Sequence, residues 1–239
     1  LALALPAPDG QDLGQVRDHR LRRLGLTTAP GESVLAAAGQ AGAVASLGRD
    51  AHGVERVVLR RRDRSPQTVA TLNVQLAQVD FARPLAIRHQ GPRGQALTSW
   101  LYLPPDYKAG EKRPTFVWAY PLEFTDASTA GQVSGSATRF NTFGGTSPLM
   151  LLLDGYVVLM DATMPVVGDP KTVNDSFVEQ ITANAQAIID KAVELGVSER
   201  SQMVVGGHSY GAFMTANLLA HTDLFKSGIA RSGAYNRTL

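Results

Sequence analysis

The segment from Met203 to Leu218, MVVGGHSYGAFMTANL, restricts what this chain can fold into more than any other stretch. An apolar run enters the pentapeptide Gly207-His208-Ser209-Tyr210-Gly211, and a helical pattern of Ala212, Phe213, Ala216, Leu219 and Ala220 leaves it. Strand, tight turn and helix in that order form the setting in which a serine hydroxyl is lifted above a sheet to act as a nucleophile. Such a turn needs a strained backbone at Ser209, and side chains at 207 and 211 would collide with the neighbouring strand and helix, so glycine fits both places. A helix starting at the serine aims its amides and its positive dipole end at the place where an oxyanion forms, which makes the Tyr210 N–H a candidate donor. The alternative is that the glycines only tighten a strand-to-helix turn, as in a nucleotide-binding fold. Against it, the chain has neither the G-x-x-x-x-G-K-[ST] pattern nor three spaced glycines here.

The surrounding sequence predicts the sheet that such a turn requires. Thr115 to Tyr120, Tyr156 to Asp161, Gln202 to Gly206 and Ser227 to Arg231 are short apolar runs without alternation, as expected of strands buried on both faces. Between the second and third, Ser176 to Leu195 repeats Phe177, Ile181, Ala185, Ile188, Ala192 and Leu195 at helical spacing. Asn174 to Ser176 offer caps at its start and Gly196 a left-handed stop. Alternating strands and helices predict an α/β fold with a doubly wound, mostly parallel sheet over residues 81–239. Pro84 to Pro104 reads as a hairpin at its beginning, and residues 121–148, rich in Gly, Ser and Thr, as a long surface loop.

Residues 1–80 have a different texture. Val34 to Ala38, Val54 to Leu59 and Thr68 to Leu76 are β-like runs punctuated by Gly, Asp and Pro. This part is also basic: residues 1–100 hold 13 Arg and no Lys against 8 acids, whereas residues 101–239 hold 10 basic and 13 acidic residues. Two modules follow, a β-rich one and an α/β one. The run Arg60-Arg61-Arg62-Asp63-Arg64 is read as a solvated strand edge.

A formal net charge of +2 in 239 residues is far from the basic excess of a nucleic-acid binder, so no nucleic-acid partner is expected. Zero Cys removes disulfides, thiolate zinc sites and a cysteine nucleophile, and leaves the compartment open between the cytoplasm and the periplasm or secretion. Only five apolar residues precede Pro6, too few for a signal-peptide core of roughly 7 to 15. The apolar run Leu149 to Met160 is broken by Asp154 and Gly155 and falls short of the roughly 20 residues a membrane helix needs, so a soluble module without a membrane partner is expected.

A serine nucleophile needs a base, normally a His held by a carboxylate. His208 adjoins Ser209 on the turn and points away from it. His221 lies 12 residues along the helix, about 18 Å away. His19, His52 and His89 belong to the β-rich part and the hairpin, where packed or solvated roles are the default. Asp161, at the end of its strand, is either an acid in a rearranged triad or, in the preferred reading, a carboxylate capping a loop. In folds of this kind the order is Ser, acid, His, and this chain runs only thirty residues past Ser209. The triad Asp and His are therefore expected on a part of the protein beyond this sequence.

GGHSYGAFMTANLLAH followed by GIARSGAYNRTL, together with WLYLPPDY, TFVWAYPLEF and GYVVLMDATMPVVGDP, resembles the prolyl oligopeptidase family of serine peptidases, and within it the glutamyl endopeptidase branch. The resemblance runs from about Ile87 to Leu239. It implies an α/β-hydrolase catalytic domain, here in its N-terminal portion only, and makes residues 1–80 the last part of a β-propeller. It implies Ser209 as nucleophile, the Tyr210 amide as one oxyanion donor and the Tyr120 hydroxyl as the other. Read from the residues alone, Tyr120 is equally a strand-end aromatic packed under the loop. In relatives the segment after Ser227 lines the primary specificity pocket. Here it carries Arg231 and Arg237, and a guanidinium in that pocket can pair with a carboxylate, which would favour cleavage after Glu. Taken singly, each Arg is better read as a structural or surface ion-pairing residue.

The resulting expectation is a serine peptidase acting on peptide substrates through an acyl-enzyme, with no cofactor and no metal. An esterase or lipase using the same turn, and a non-catalytic fragment without its His, are the alternatives.

Overall fold

The computed structural model describes all residues except 1, 8, 9, 18, 19, 30, 39, 40, 132–143 and 237–239. The chain divides near residue 81 into two compact units. Among the described residues, no helix is long and apolar enough to cross a membrane.

The first unit is all β. Strands β1 (Ala2–Ala7), β2 (Gly10–Arg17) and β3 (Arg20–Thr28) form an antiparallel sheet in that order. Strands β4 (Ser33–Ala38), β5 (Ala43–Arg49), β6 (Glu55–Arg61) and β7 (Arg64–Leu72) form a second, four-stranded antiparallel sheet. Leu13, Leu24 and Leu26 of the first sheet meet Val44 of the second in a small core. The period of two carries this packing, because Leu24 and Leu26 point inward while their neighbours Gly25 and Thr27 are exposed.

Strand β7 stops at Leu72, four residues short of the run read from the sequence. Asn73 adopts the left-handed conformation (φ 59°) and the chain turns into a 3-10 segment, Val74–Gln78. The arginine run needs a correction too. Arg62 and Asp63 make the β6–β7 hairpin turn and Arg61 and Arg64 face solvent, but Arg60 is buried. Its guanidinium lies 2.8 Å from the Glu32 carboxylate and donates to the Ser46 hydroxyl. An inward-pointing charge is tolerated there because each of its partners is also an oxygen acceptor at hydrogen-bond distance.

The second unit has the α/β-hydrolase arrangement. Its strands are β8 (Leu85–Gln90), β9 (Ala96–Tyr102), β10 (Thr115–Phe124), β11 (Val157–Val167), β12 (Met203–His208) and β13 (Ser227–Arg231). They stand in the order β13-β12-β10-β11-β9-β8, with the first four parallel and β9 and β8 antiparallel. Helices α1 (Phe177–Glu194) and α2 (Tyr210–His221) make the crossovers. Alternate residues of the central strands feed two apolar layers: Leu101, Val157 and Leu159 join Ile181, Ile188 and Met214 in one, while Trp100, Tyr102 and Val158 join Leu149 and Leu152 in the other. A sheet buried on both faces explains the unalternated runs of its strands.

Helix α1 buries Phe177, Ile181, Ala185, Ile188 and Ala192 as its spacing predicts, but Leu195 falls beyond the last turn and is 44% exposed. Gly196 supplies the left-handed stop (φ +73°). At the other end the Ser176 side chain caps no helix amide, and its hydroxyl instead accepts from Gln180 Nε2. Gln180 also exchanges two hydrogen bonds with the backbone of Val167, tying α1 to the end of β11.

Candidate active site

The turn after β12 is built by close backbone approaches. A Cβ at Gly207 would lie 2.4 Å from the backbone of Gly211, and one at Gly211 would lie 2.5 Å from the carbonyl oxygen of Ala119 on β10. No side chain can occupy either space, so these glycines let α2 start directly against the sheet. Ser209 between them has φ +56° and ψ −113°, a strained conformation for a residue with a Cβ. Three hydrogen bonds hold it: its N–H donates to Arg231 O at 2.9 Å, and its carbonyl accepts from Ala212 N and Phe213 N. The side chain, exposed, caps no amide of the helix it begins. A hydroxyl spared from capping and raised above the C-terminal end of parallel strands is available to a substrate.

Ser209, Tyr210 and Tyr120 line one open cleft of about 510 Å³. Tyr120 sits on β10, two residues after a register shift against β11, and is 48% exposed. Its ring meets that of Tyr210 edge-on, with centroids 6.1 Å apart. Tyr210 is in turn stacked on Phe177 and Phe213, and its hydroxyl donates to Glu123 Oε1 at 2.9 Å. Its amide is the first of α2, so it points out of the helix end on the side where Ser209 stands.

The remaining candidates are placed elsewhere. Arg231 is exposed and does not line the cleft. Its guanidinium lies over Trp118, 5.8 Å from the ring, and donates to the Thr146 carbonyl. Its backbone, by contrast, positions Ser209. Arg237 and His19 lie outside the described residues. His208 and His221 are exposed, and His52 donates its backbone N–H to Asp50. His89 is buried on β8 with Nε2 3.1 Å from the Ser99 hydroxyl, and burial lowers its pKa.

Asp161 differs from the expected strand-end cap. Strand β11 continues through it to Val167, and Asp161 is the extra residue of a bulge opposite Trp118, with φ +52°. The residue is exposed, but partial desolvation of its carboxyl group raises its pKa, and its charge adds to the burial that pushes Tyr102 up to about 12.

Glu123, Phe213 and Ser232 also line the cleft, and reading the sequence missed all three. Residues 121–124, read as the start of a loop, extend β10, which is what brings Glu123 into the cleft that Ser209 lines. The only sequence signal was an acid at the end of an aromatic-rich run.

Residues 177–239 match the prolyl oligopeptidase family. The chain is 45% identical over 181 residues to a probable chloroplastic glutamyl endopeptidase of Arabidopsis thaliana, covering 74% of this chain and 19% of that protein. It is 50% identical over 157 residues to the probable chloroplastic glutamyl endopeptidase of Oryza sativa subsp. japonica, covering 64% and 17%. The chain thus spans about a fifth of these relatives. Among solved structures, an acylaminoacyl peptidase in complex with Z-Gly-Gly-Phe-chloromethyl ketone superposes with a TM-score of 0.58 at 18% identity, covering 97% of this chain and 35% of that one. A post-proline cleaving enzyme from Rickettsia typhi gives 0.59 at 10% identity, covering 93% and 32%. These likenesses agree with the fold described above.

Proposed function

Because residues 177–239 belong to the prolyl oligopeptidase family, we propose that this chain carries the nucleophile and the oxyanion donors of a serine peptidase. Ser209 Oγ attacks a peptide carbonyl carbon while a His from the remainder of the protein accepts the hydroxyl proton. The negative charge that develops on the carbonyl oxygen is met by the Tyr210 N–H and the Tyr120 hydroxyl. The tetrahedral intermediate expels the amine, which takes the proton from that His, and water then releases the acyl group from Ser209. The scheme needs no metal or organic group. The observation that carries it is the strained, outward-facing Ser209 at the head of α2, locked between Gly207 and Gly211.

Preference for Glu is a further part of the proposal. Support comes from the names of the relatives and from two basic residues, Arg231 at the end of β13 and Arg237 later in the sequence. For Arg231 to bind a substrate carboxylate, its exposed guanidinium would have to leave the Thr146 carbonyl and turn toward the cleft.

The test uses the full-length protein, its Ser209→Ala variant and two panels, short peptides with Glu, Ala or Phe before the scissile bond and p-nitrophenyl esters. Peptide turnover that vanishes in Ser209→Ala supports the reading. Turnover of esters alone makes the protein an esterase, and peptide turnover that survives Ser209→Ala overturns the assignment of the nucleophile. Glu peptides cleaved no faster than Ala peptides remove the Glu preference.

A further inference from the structure

The cleft contains a charged group that the proposed chemistry does not use. Glu123 is exposed near the end of β10, and among the described residues it is the only carboxyl group lining the cleft, with no Lys, Arg or His beside it in that lining. One carboxylate oxygen is fixed by the Tyr210 hydroxyl at 2.9 Å, and Tyr210 is itself held by stacking on Phe177 and Phe213. The chain of support therefore runs from α1 through two aromatic rings to the carboxylate, across residues 87 apart in sequence. A hydrogen bond of this kind orders a surface Glu that would otherwise sample many rotamers. The Glu123 carboxylate and the rings of Tyr210 and Phe213 together form this wall of the cleft. A preorganised carboxylate beside aromatic faces is the combination that binds an ammonium or guanidinium group.

We propose that Glu123 is a specificity-determining residue, forming with Tyr210 and Phe213 a subsite for a positively charged group of the peptide next to the scissile bond. The inference rests on the reading of Ser209 as nucleophile and adds a substrate class to it, namely peptides with a cation close to the cleavage point. Glu123 also repels a substrate carboxylate at its own subsite, so any Glu preference has to be expressed on a different side of the cleft. The cation has two possible sources, a Lys or Arg side chain or a free peptide N-terminus.

The experiment measures kcat/KM of the full-length protein on peptides with Lys or its uncharged analogue norleucine at each position flanking the scissile bond, with free or acetylated N-termini. Wild-type protein is expected to prefer Lys over norleucine, or free over acetylated peptides, by about tenfold at one position. Glu123→Gln, which keeps an acceptor for the Tyr210 hydroxyl, is expected to bring that ratio close to one, and added salt to reduce it in the wild type only. Loss of preference for Lys identifies a side-chain subsite, and loss of preference for free N-termini identifies a terminal one. No cation preference in the wild type, or a preference that survives Glu123→Gln, overturns the proposal while serine labelling by a fluorophosphonate leaves the nucleophile reading standing. If the wild type is not labelled at Ser209, the reading and the subsite fall together.

Discussion

Around the Ser209 turn of the second unit the interior is backbone against backbone, with Gly207 set on Gly211 and Gly211 on the Ala119 carbonyl, inside a layer of buried aliphatic side chains. The first unit is held differently: among its described residues Leu13, Leu24, Leu26 and Val44 form a small buried cluster, and an ion pair between Arg60 and Glu32, joined by the fully buried Ser46, is largely buried in the same unit. Strand β7 of that unit is exposed along its whole length, including Val69 and Leu72. Steric exclusion limits what the first kind of interior accepts, and charge balance limits the second. Substitutions of similar size should therefore have opposite ranks in the two places.

The largest expected effect is that of Gly207→Ala. Its methyl group has only backbone to meet, so the strand and helix must separate, and a loss of more than about 4 kcal/mol is expected for the hydrolase unit, together with loss of any Ser209 reactivity. Hydrogen exchange read separately over β12 and β5 checks this, since protection should collapse in the former and persist in the latter. Next comes Arg60→Ala, which leaves the Glu32 carboxylate buried beside Ser46 without its cation and should destabilise the first unit by about 3 kcal/mol. Replacing Arg60 and Glu32 together by Leu should recover most of the loss. If the single variant is as stable as wild type, the contrast between the two interiors is wrong.

A pH effect sharpens the comparison further. Burial holds the His89 pKa below its ordinary value of 6.5, so the unfolded chain takes up a proton that the folded one resists. The stability linked to His89 is present above about pH 6.5 and is lost as the pH falls below it. Urea midpoints of the hydrolase unit should drop between pH 7.5 and 5.5, and the drop should shrink in His89→Gln. The smallest effect is expected for Gly48→Ala in β5. There the added methyl meets Cγ of Glu32 at 3.1 Å, a side chain held by Arg60 and Ser46 that has to give by only a few tenths of an ångström, and a change of about 1 kcal/mol or less should appear in thermal melts.

What could be read from the sequence followed the range of the interactions. The turn at Ser209, the strand before it and the helix after it are local, and their glycines and periodicity are enough to predict them. The burial of Arg60 is not local, because its partners Glu32 and Ser46 lie 28 and 14 residues away, and a run of four arginines looks solvated without them. Strands β2, β3 and β5 went unread because small, polar or charged residues interrupt their alternation, and β1 because its short Ala/Leu run ends in a proline. Glu123 escaped notice for a related reason: its place in the cleft is set by the register of β10 with β11 and by a tyrosine on a helix far along the chain.

The central claim concerns one hydroxyl group, and covalent trapping tests it most directly. Full-length protein treated with a fluorophosphonate and digested should show a single phosphonylated peptide with the adduct on Ser209, formed in parallel with loss of peptidase activity. Complete inactivation with the adduct on another residue, or an active enzyme whose Ser209 stays unmodified, would contradict the account.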